Sequence, residues 1–117
     1  MARRTATNMQ TDCVIVWTTI GSETDGRALA ATLVGERLAA CVNVLPEMES
    51  TYRWKGAVEA ERERQLVMKT TATRVPALEA RVRELHPYEL PEFIVLPIIA
   101  GSAPYLAWIR DSTANTG

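Results

Sequence analysis

Histidine is nearly missing from this sequence: His86 is the only one in 117 residues, so imidazole chemistry near neutral pH, as base or as ligand, rests on one position. Cysteine is scarce too. Cys13 and Cys41 are the only two, too few for a disulfide framework, and their plainest role is that of small buried hydrophobes kept reduced in a cytosol. Neither sign of charge is in excess, because 13 Lys and Arg stand against 14 Asp and Glu for a formal net charge of −1. That balance gives no reason to expect nucleic acid or an anionic membrane as partner. No apolar run approaches the roughly 20 residues that cross a bilayer, and 1–10 lack the apolar stretch of a secretory signal, so a cytoplasmic protein is expected. There is no glycine-rich phosphate loop, and Ser22 and Ser50 have no histidine near them in sequence. With no nucleophile beside a base, an enzyme is not expected.

What is present reads as one domain over 12–112, with a polar tail at 1–11 and a loose end at 113–117. Cys13 to Thr19 is a β-branched and aromatic run of strand length. Gly21 breaks it, and Ser22-Glu23-Thr24-Asp25 has the form of a capping box, with the serine oxygen placed to accept a first-turn N–H. A helix is predicted from there to about Leu38, burying Leu29, Leu33, Val34 and Leu38 along one face. Cys41 to Leu45 returns to strand chemistry, bends at Pro46, and resumes with Met48, Ser50, Tyr52 and Trp54 alternating against Glu49, Thr51 and Arg53. Lys55-Gly56 supplies the turn of a long hairpin whose return strand is charged from Glu59 to Arg64 and apolar from Leu66. A second helix spans Thr73 to Leu85, stopped by Pro87. Phe93 to Ile99 is a fourth strand that Pro97 confines to an edge, and Ser102 to Ile109 a short capped helix.

The order β-α-β-β-α-β is that of the split βαβ, or ferredoxin-like, α+β fold. Right-handed crossovers put both long helices on one face of an antiparallel sheet. The other face is left without cover, and a two-stranded ribbon alone in water is barely stable. A second copy of the chain is therefore the expected partner.

Candidate chemistry gathers in few places. Cys41 and His86 bear the soft and borderline donors that copper or zinc takes, although neither a CxxC nor an HxxxH spacing occurs and a lone histidine is ordinarily structural. Glu89 with Glu92, or Glu59 with Glu61 and Glu63, offers oxygen donors for a hard cation; for the hairpin glutamates a solvated face is the favoured reading. Lys69 lies among apolar residues, where it snorkels to water or meets an anion. Tyr52 and Trp54 share a face and suit an interface. His86-Pro87-Tyr88-Glu89-Leu90-Pro91-Glu92 is a stiff polar segment, a rigid turn or a functional lip.

Four stretches together, Glu36-Arg37-Leu38-Ala39-Ala40-Cys41-Val42-Asn43, Tyr52-Arg53-Trp54-Lys55-Gly56, Lys69-Thr70-Thr71 and His86 to Glu92, resemble the CutA divalent-cation tolerance proteins. The resemblance runs from the first strand to Ile109. It implies a ferredoxin-like fold assembled as a homotrimer through the long hairpin, similar in plan to the PII signalling proteins. It also implies a response to divalent metal ions, with Cu2+ or another divalent cation as ligand and no other cofactor. Cys41 and His86 fall on family motif positions as the metal pair, while Tyr52, Trp54, Lys69, Tyr88 and Glu92 fall on positions expected to line a cleft between subunits. The strand-one cysteine of some relatives is Thr18 here, which weakens a thiolate-rich site. A PII-like signalling or scaffold module, taking a small anionic ligand or a protein partner, is the alternative.

Overall fold

The structure is a computed structural model that describes residues 11–115. Its elements are β1 (Cys13–Gly21), α1 (Gly26–Gly35), β2 (Cys41–Trp54), β3 (Ala57–Thr71), a 3-10 turn (Ala72–Arg74), α2 (Val75–Leu85), β4 (Ile94–Pro97) and α3 (Ala103–Thr113). The four strands form one antiparallel sheet in the order β2-β3-β1-β4. This is the expected ferredoxin-like arrangement, with β4 at an edge where Pro97 needs no N–H to give.

Alternation along β1 divides the sheet's two faces. Val14, Val16 and Ile20 turn inward with Leu66 and Met68 of β3, and α1 and α2 seal that layer with Leu29, Leu33, Leu78 and Val82. Cys13 points the other way and packs with Leu106 and Ile109 of α3 and with Ala40. Thus α3 covers one end of the second face. Ile15 and Trp17 lie further along that face, opposite Lys69 and Val67 on one side and Leu96 and Ile94 on the other.

The β2–β3 hairpin outruns the sheet. Pairing of β1 with β3 ends at Gly21 and Glu63, whereas β2 and β3 continue to Trp54 and Ala57, so the outer half is a two-stranded arm. The molecule measures 55 × 31 × 23 Å. Lys55 (φ 50°) and Gly56 (φ 83°) make the tip, both left-handed as a two-residue hairpin turn of matching twist requires. A register shift between Val44 and Glu47 places the predicted bend at Pro46.

Several boundaries differ from expectation. Asp25, not Ser22, caps α1, accepting from the Ala28 N–H at 3.0 Å; the Ser22 hydroxyl is drawn instead to the Glu47 carboxylate. The helix stops at Gly35, and Arg37 at φ 61° turns the chain so that Leu38 enters the core from a loop. β4 is four residues long and stops at Pro97. At the C-terminal side, Thr113 is not loose: α3 runs through it, it is buried, and its hydroxyl donates to the Ile109 carbonyl at 2.8 Å. Thr11 also belongs to the domain, because its hydroxyl donates to the Ile98 carbonyl at 2.8 Å. Residues 1–10 and 116–117, expected as tails, lie outside the described residues.

Candidate functional site

The end of α2 fixes the His86 segment. Pro87 forces His86 out of the helical region, to φ −89° and ψ 130°, while the His86 N–H still closes the helix on the Val82 carbonyl at 2.8 Å. The imidazole is buried. The Tyr88 backbone N–H lies 3.1 Å from Nδ1, and because an N–H can only donate, Nδ1 is the unprotonated nitrogen. Nε2 therefore carries the proton and donates to the Thr19 carbonyl at 2.6 Å. Both nitrogens of the only histidine are engaged, Nε2 in holding the segment to β1 and Nδ1 in bracing the segment on itself.

Tyr88 continues past the end of β1, where a side chain at Gly21 would bring a Cβ to 3.3 Å from the tyrosine hydroxyl. The hydroxyl donates to the Glu63 carboxylate at 2.7 Å. Burial pushes the Tyr88 phenol well above its ordinary range, and the bond to Glu63 with the charge behind it adds to the shift. Further along, the buried Thr18 hydroxyl donates to the Glu92 carbonyl. Gln65 donates to the Thr18 carbonyl at 2.8 Å and to the Glu92 carboxylate at 3.0 Å. Residues 86–92 are thus stitched to β1 and β3.

This segment forms one wall of a cleft of about 910 Å3, and the outer half of the hairpin forms the other. Tyr52, Trp54, Tyr88 and Glu92, singled out in sequence, line it together. Burial and the neighbouring Glu61 push the Tyr52 phenol upward as well. At the rim, the Lys55 amine stands 5.5 Å from the centre of the Trp54 ring and 3.9 Å from the Glu89 carboxylate.

Lys69 is not part of that wall. It pairs in register with Cys41 on one side and Ile15 on the other, and its amine donates to the Asn43 side chain at 3.0 Å. The proposed metal pair is also apart within the chain. Cys41 shares a cross-strand row with Ile15, whereas the His86 ring meets Thr19, four residues further along β1. At about 3.3 Å per residue the separation along the strand alone is about 13 Å, beyond the reach of one metal ion. Among the described residues no three His, Cys, Asp or Glu side chains converge as a metal site. The donors of a single chain therefore do not fit a closed copper centre.

The hairpin glutamates divide. Glu59 and Glu61 are exposed as a solvated face requires, but Glu63 is 6% exposed. Gln65 and Thr19 were missed as site residues by reading the sequence, and Glu63, weighed there with Glu59 and Glu61 as an oxygen donor, was wrongly favoured as part of a solvated face. A signal for Glu63 existed in the period of two, which places it on the same face as Gln65 and Val67, at the row where the arm leaves the sheet. No helix among the described residues is long and apolar enough to cross a membrane.

Comparison with known proteins agrees with this fold. The sequence profile of the CutA1 divalent ion tolerance protein matches residues 14–112. The divalent-cation tolerance protein CutA of Thermus thermophilus is 48% identical over 99 residues, covering 85% of this chain and 96% of that protein. Protein CutA of Homo sapiens is 43% identical over 97 residues, 83% of this chain but only 54% of the human protein. The crystal structure of CutA from Xylella fastidiosa superposes with a TM-score of 0.84 at 41% identity, covering 88% of this chain and 99% of that one.

Proposed function

The chain belongs to the CutA1 divalent ion tolerance protein family, and from that premise we propose that it acts in the cytoplasmic response to divalent metal ions as a homotrimer that binds copper or a similar cation. The match over residues 14–112 carries this reading. The fold supports assembly. Trp17 and Ile94 stand exposed on the sheet face that α3 leaves open, and among the described residues the hairpin arm has no third strand beyond Glu63. Large uncovered apolar surface of this kind marks an interaction site.

Cation binding is then a property of the assembly. Cys41 is half-buried, and its register partner Lys69 lies in the same row as Ile15 on that open face, so its thiolate can meet donors of a second chain. His86 is a poor ligand, since binding a metal through either nitrogen breaks a bond that holds the cleft wall. Its occupied nitrogens also favour a binding role over a catalytic one, because no free imidazole remains as a base. The anionic-ligand alternative draws no support from Lys69, which turns to Asn43, or from a cleft whose lining carries mostly acidic charge.

Sedimentation combined with calorimetric titration tests the reading, using Cu2+ and, as a redox-silent control, Zn2+. The expected result is a trimer whose cation affinity falls at least about tenfold in Cys41→Ala and is retained in His86→Ala. A monomer, or a folded His86→Ala protein that has lost copper binding while Cys41→Ala keeps it, would sink it.

A further inference from the structure

We propose that a second cavity, at the opposite end of the sheet from the hairpin arm, binds a small oxyanion of the phosphate class. The cavity measures about 400 Å3 and opens where the start of β1, the 3-10 turn and the end of α3 meet. Its lining includes Asp12, Thr71, Thr73, Arg74, Arg110 and Thr113. In register, Cys13 faces Thr71 at this end of β1, whereas the arm departs at Gly21 and Glu63. At about 3.3 Å per residue the two places stand about 26 Å apart along the strand, and α3 already covers the sheet here. The site is therefore distinct from the acidic cleft and from the open face assigned to a second copy.

Donors outnumber acceptors in this cavity. The Arg74 Nε donates to the Arg37 carbonyl at 3.3 Å, which fixes the plane of the guanidinium. Among the described residues no carboxylate pairs with Arg74, and its two Nη groups find no acceptor. A guanidinium held by the backbone with its fork unused is prearranged for bidentate contact with a phosphate group. Arg110 gives one Nη to the Asp12 carboxylate at 3.1 Å and keeps its other donors. Asp12 is the single carboxylate of the lining, so the two guanidiniums leave the cavity net positive, in a chain whose net charge is −1. The Thr71 and Thr73 hydroxyls share one hydrogen bond at 3.2 Å, and one O–H of the pair is left to give. Arg37 braces both walls. Its carbonyl holds Arg74, while its own guanidinium donates to the Asp111 and Ser112 carbonyls at the end of α3. A non-glycine residue at φ 61° is costly to hold in place, and here it keeps Arg110 of α3 beside Arg74. A metal ion does not suit this lining, because a guanidinium offers donors and no lone pair.

Isothermal titration of the full chain with inorganic phosphate, methyl phosphate and acetate, each against chloride at matched ionic strength, is the test. Saturable phosphate binding is expected, with half-saturation below about 1 mM. Arg74→Gln should weaken it at least about tenfold, and Thr73→Val, a second variant that spares the Arg37 contact, several-fold. Arg83→Gln, which removes the same charge from an exposed pair on α2, should leave it unchanged. Methyl phosphate binding as well as the free ion marks an ester as the ligand, and phosphate alone marks the ion itself; either result supports the site. Heats that match chloride for both phosphates overturn the proposal, as does acetate binding more tightly than phosphate. Equal losses in Arg74→Gln and Arg83→Gln overturn it too, because the attraction would then be one of general charge. Cation binding at Cys41 is untouched by any of these outcomes.

Discussion

The Tyr88 hydroxyl donates to the Glu63 carboxylate across 2.7 Å, joining the segment after α2 to the last residue of β3 that still pairs with β1. Beyond Glu63 the hairpin leaves the sheet. The bond therefore sits at the root of the arm, and it ties the two walls of the cleft at their common base.

Ionising Tyr88 would set a phenolate against a carboxylate, and this gives a pH dependence of fixed sign. The folded-state pKa is raised above the ordinary tyrosine value of about 10. The contribution to stability is then complete below pH about 10 and is lost as pH climbs through the folded-state value. Tyrosinate absorbance followed together with circular dichroism should show a late tyrosine ionising as the fold gives way. In Tyr88→Phe that phase should vanish, and stability at neutral pH should fall by about 1 to 3 kcal/mol because the buried Glu63 carboxylate loses its donor. An unchanged alkaline titration in the variant would show that the bond is not made in solution.

The imidazole of His86 bridges the Tyr88 N–H and the Thr19 carbonyl. His86→Ala removes both partners, and a cost of about 1 to 3 kcal/mol is expected. Hydrogen exchange should localise the damage: the Tyr88 amide should lose its protection, while core amides of β1 such as Val16 change only with global stability. Equal protection of Tyr88 in the two proteins would remove the role assigned to the ring.

The ring's role also shows where sequence reading succeeds and where it stops. Element order follows from local chemistry: apolar periodicity gave the strands and helices, Pro97 the edge strand, and Lys55-Gly56 the turn. Cap identity did not, since Ser22 and Asp25 both suit an N-cap, and only the packing of Ser22 against Glu47 decides between them. For the site, a stiff proline-bounded segment and an alternating strand each drew attention to a face. The placing of Tyr52, Trp54, Tyr88 and Glu92 along a cleft, expected between subunits, came from the family resemblance and not from pattern; within one chain these four line the cleft beside the arm. The separation of Cys41 from His86 is a matter of register, which pairs Cys41 with Lys69 and Ile15. No pattern along the chain encodes that distance. The burial of Glu63 depends on Tyr88 crossing the end of β1, a contact between residues 25 apart in sequence.

The two thiols should differ sharply in reactivity. Cys13 is fully buried against α3, and burial first, with the nearby Asp12 charge second, pushes its pKa up. Thiolate is the reactive form, so Cys13 should label only as the protein unfolds. Cys41 is partly exposed. Titration of the native protein with an aromatic disulfide reagent should give one fast thiol, absent in Cys41→Ala, and a second released by denaturant. Assembly covering Cys41 would slow the fast phase in a concentration-dependent way.

Gly56 holds the hairpin tip at φ 83° with nothing near its Cβ position. Gly56→Ala thus meets backbone strain without a clash, and a loss of about 1 kcal/mol is expected. Thermal unfolding should report it. A stability equal to wild type would mean that the tip relaxes to another turn.

Trp17 offers the most direct probe of the open sheet face. It lies in register between Val67 of β3 and Ile94 of β4 and is 39% exposed in the single chain. A carboxylate placed there has no basic partner in its own row, and burying it against a second chain would cost several kcal/mol. Trp17→Glu leaves the α1–α2 core on the opposite face untouched, so the fold of the single chain should survive while assembly fails. Sedimentation should then give the mass of one chain, and the arm amides from Glu49 to Glu61 should exchange faster because their two-stranded ribbon has lost its cover. If Trp17→Glu sediments as wild type does, the subunits meet elsewhere and the uncovered face has some other occupant.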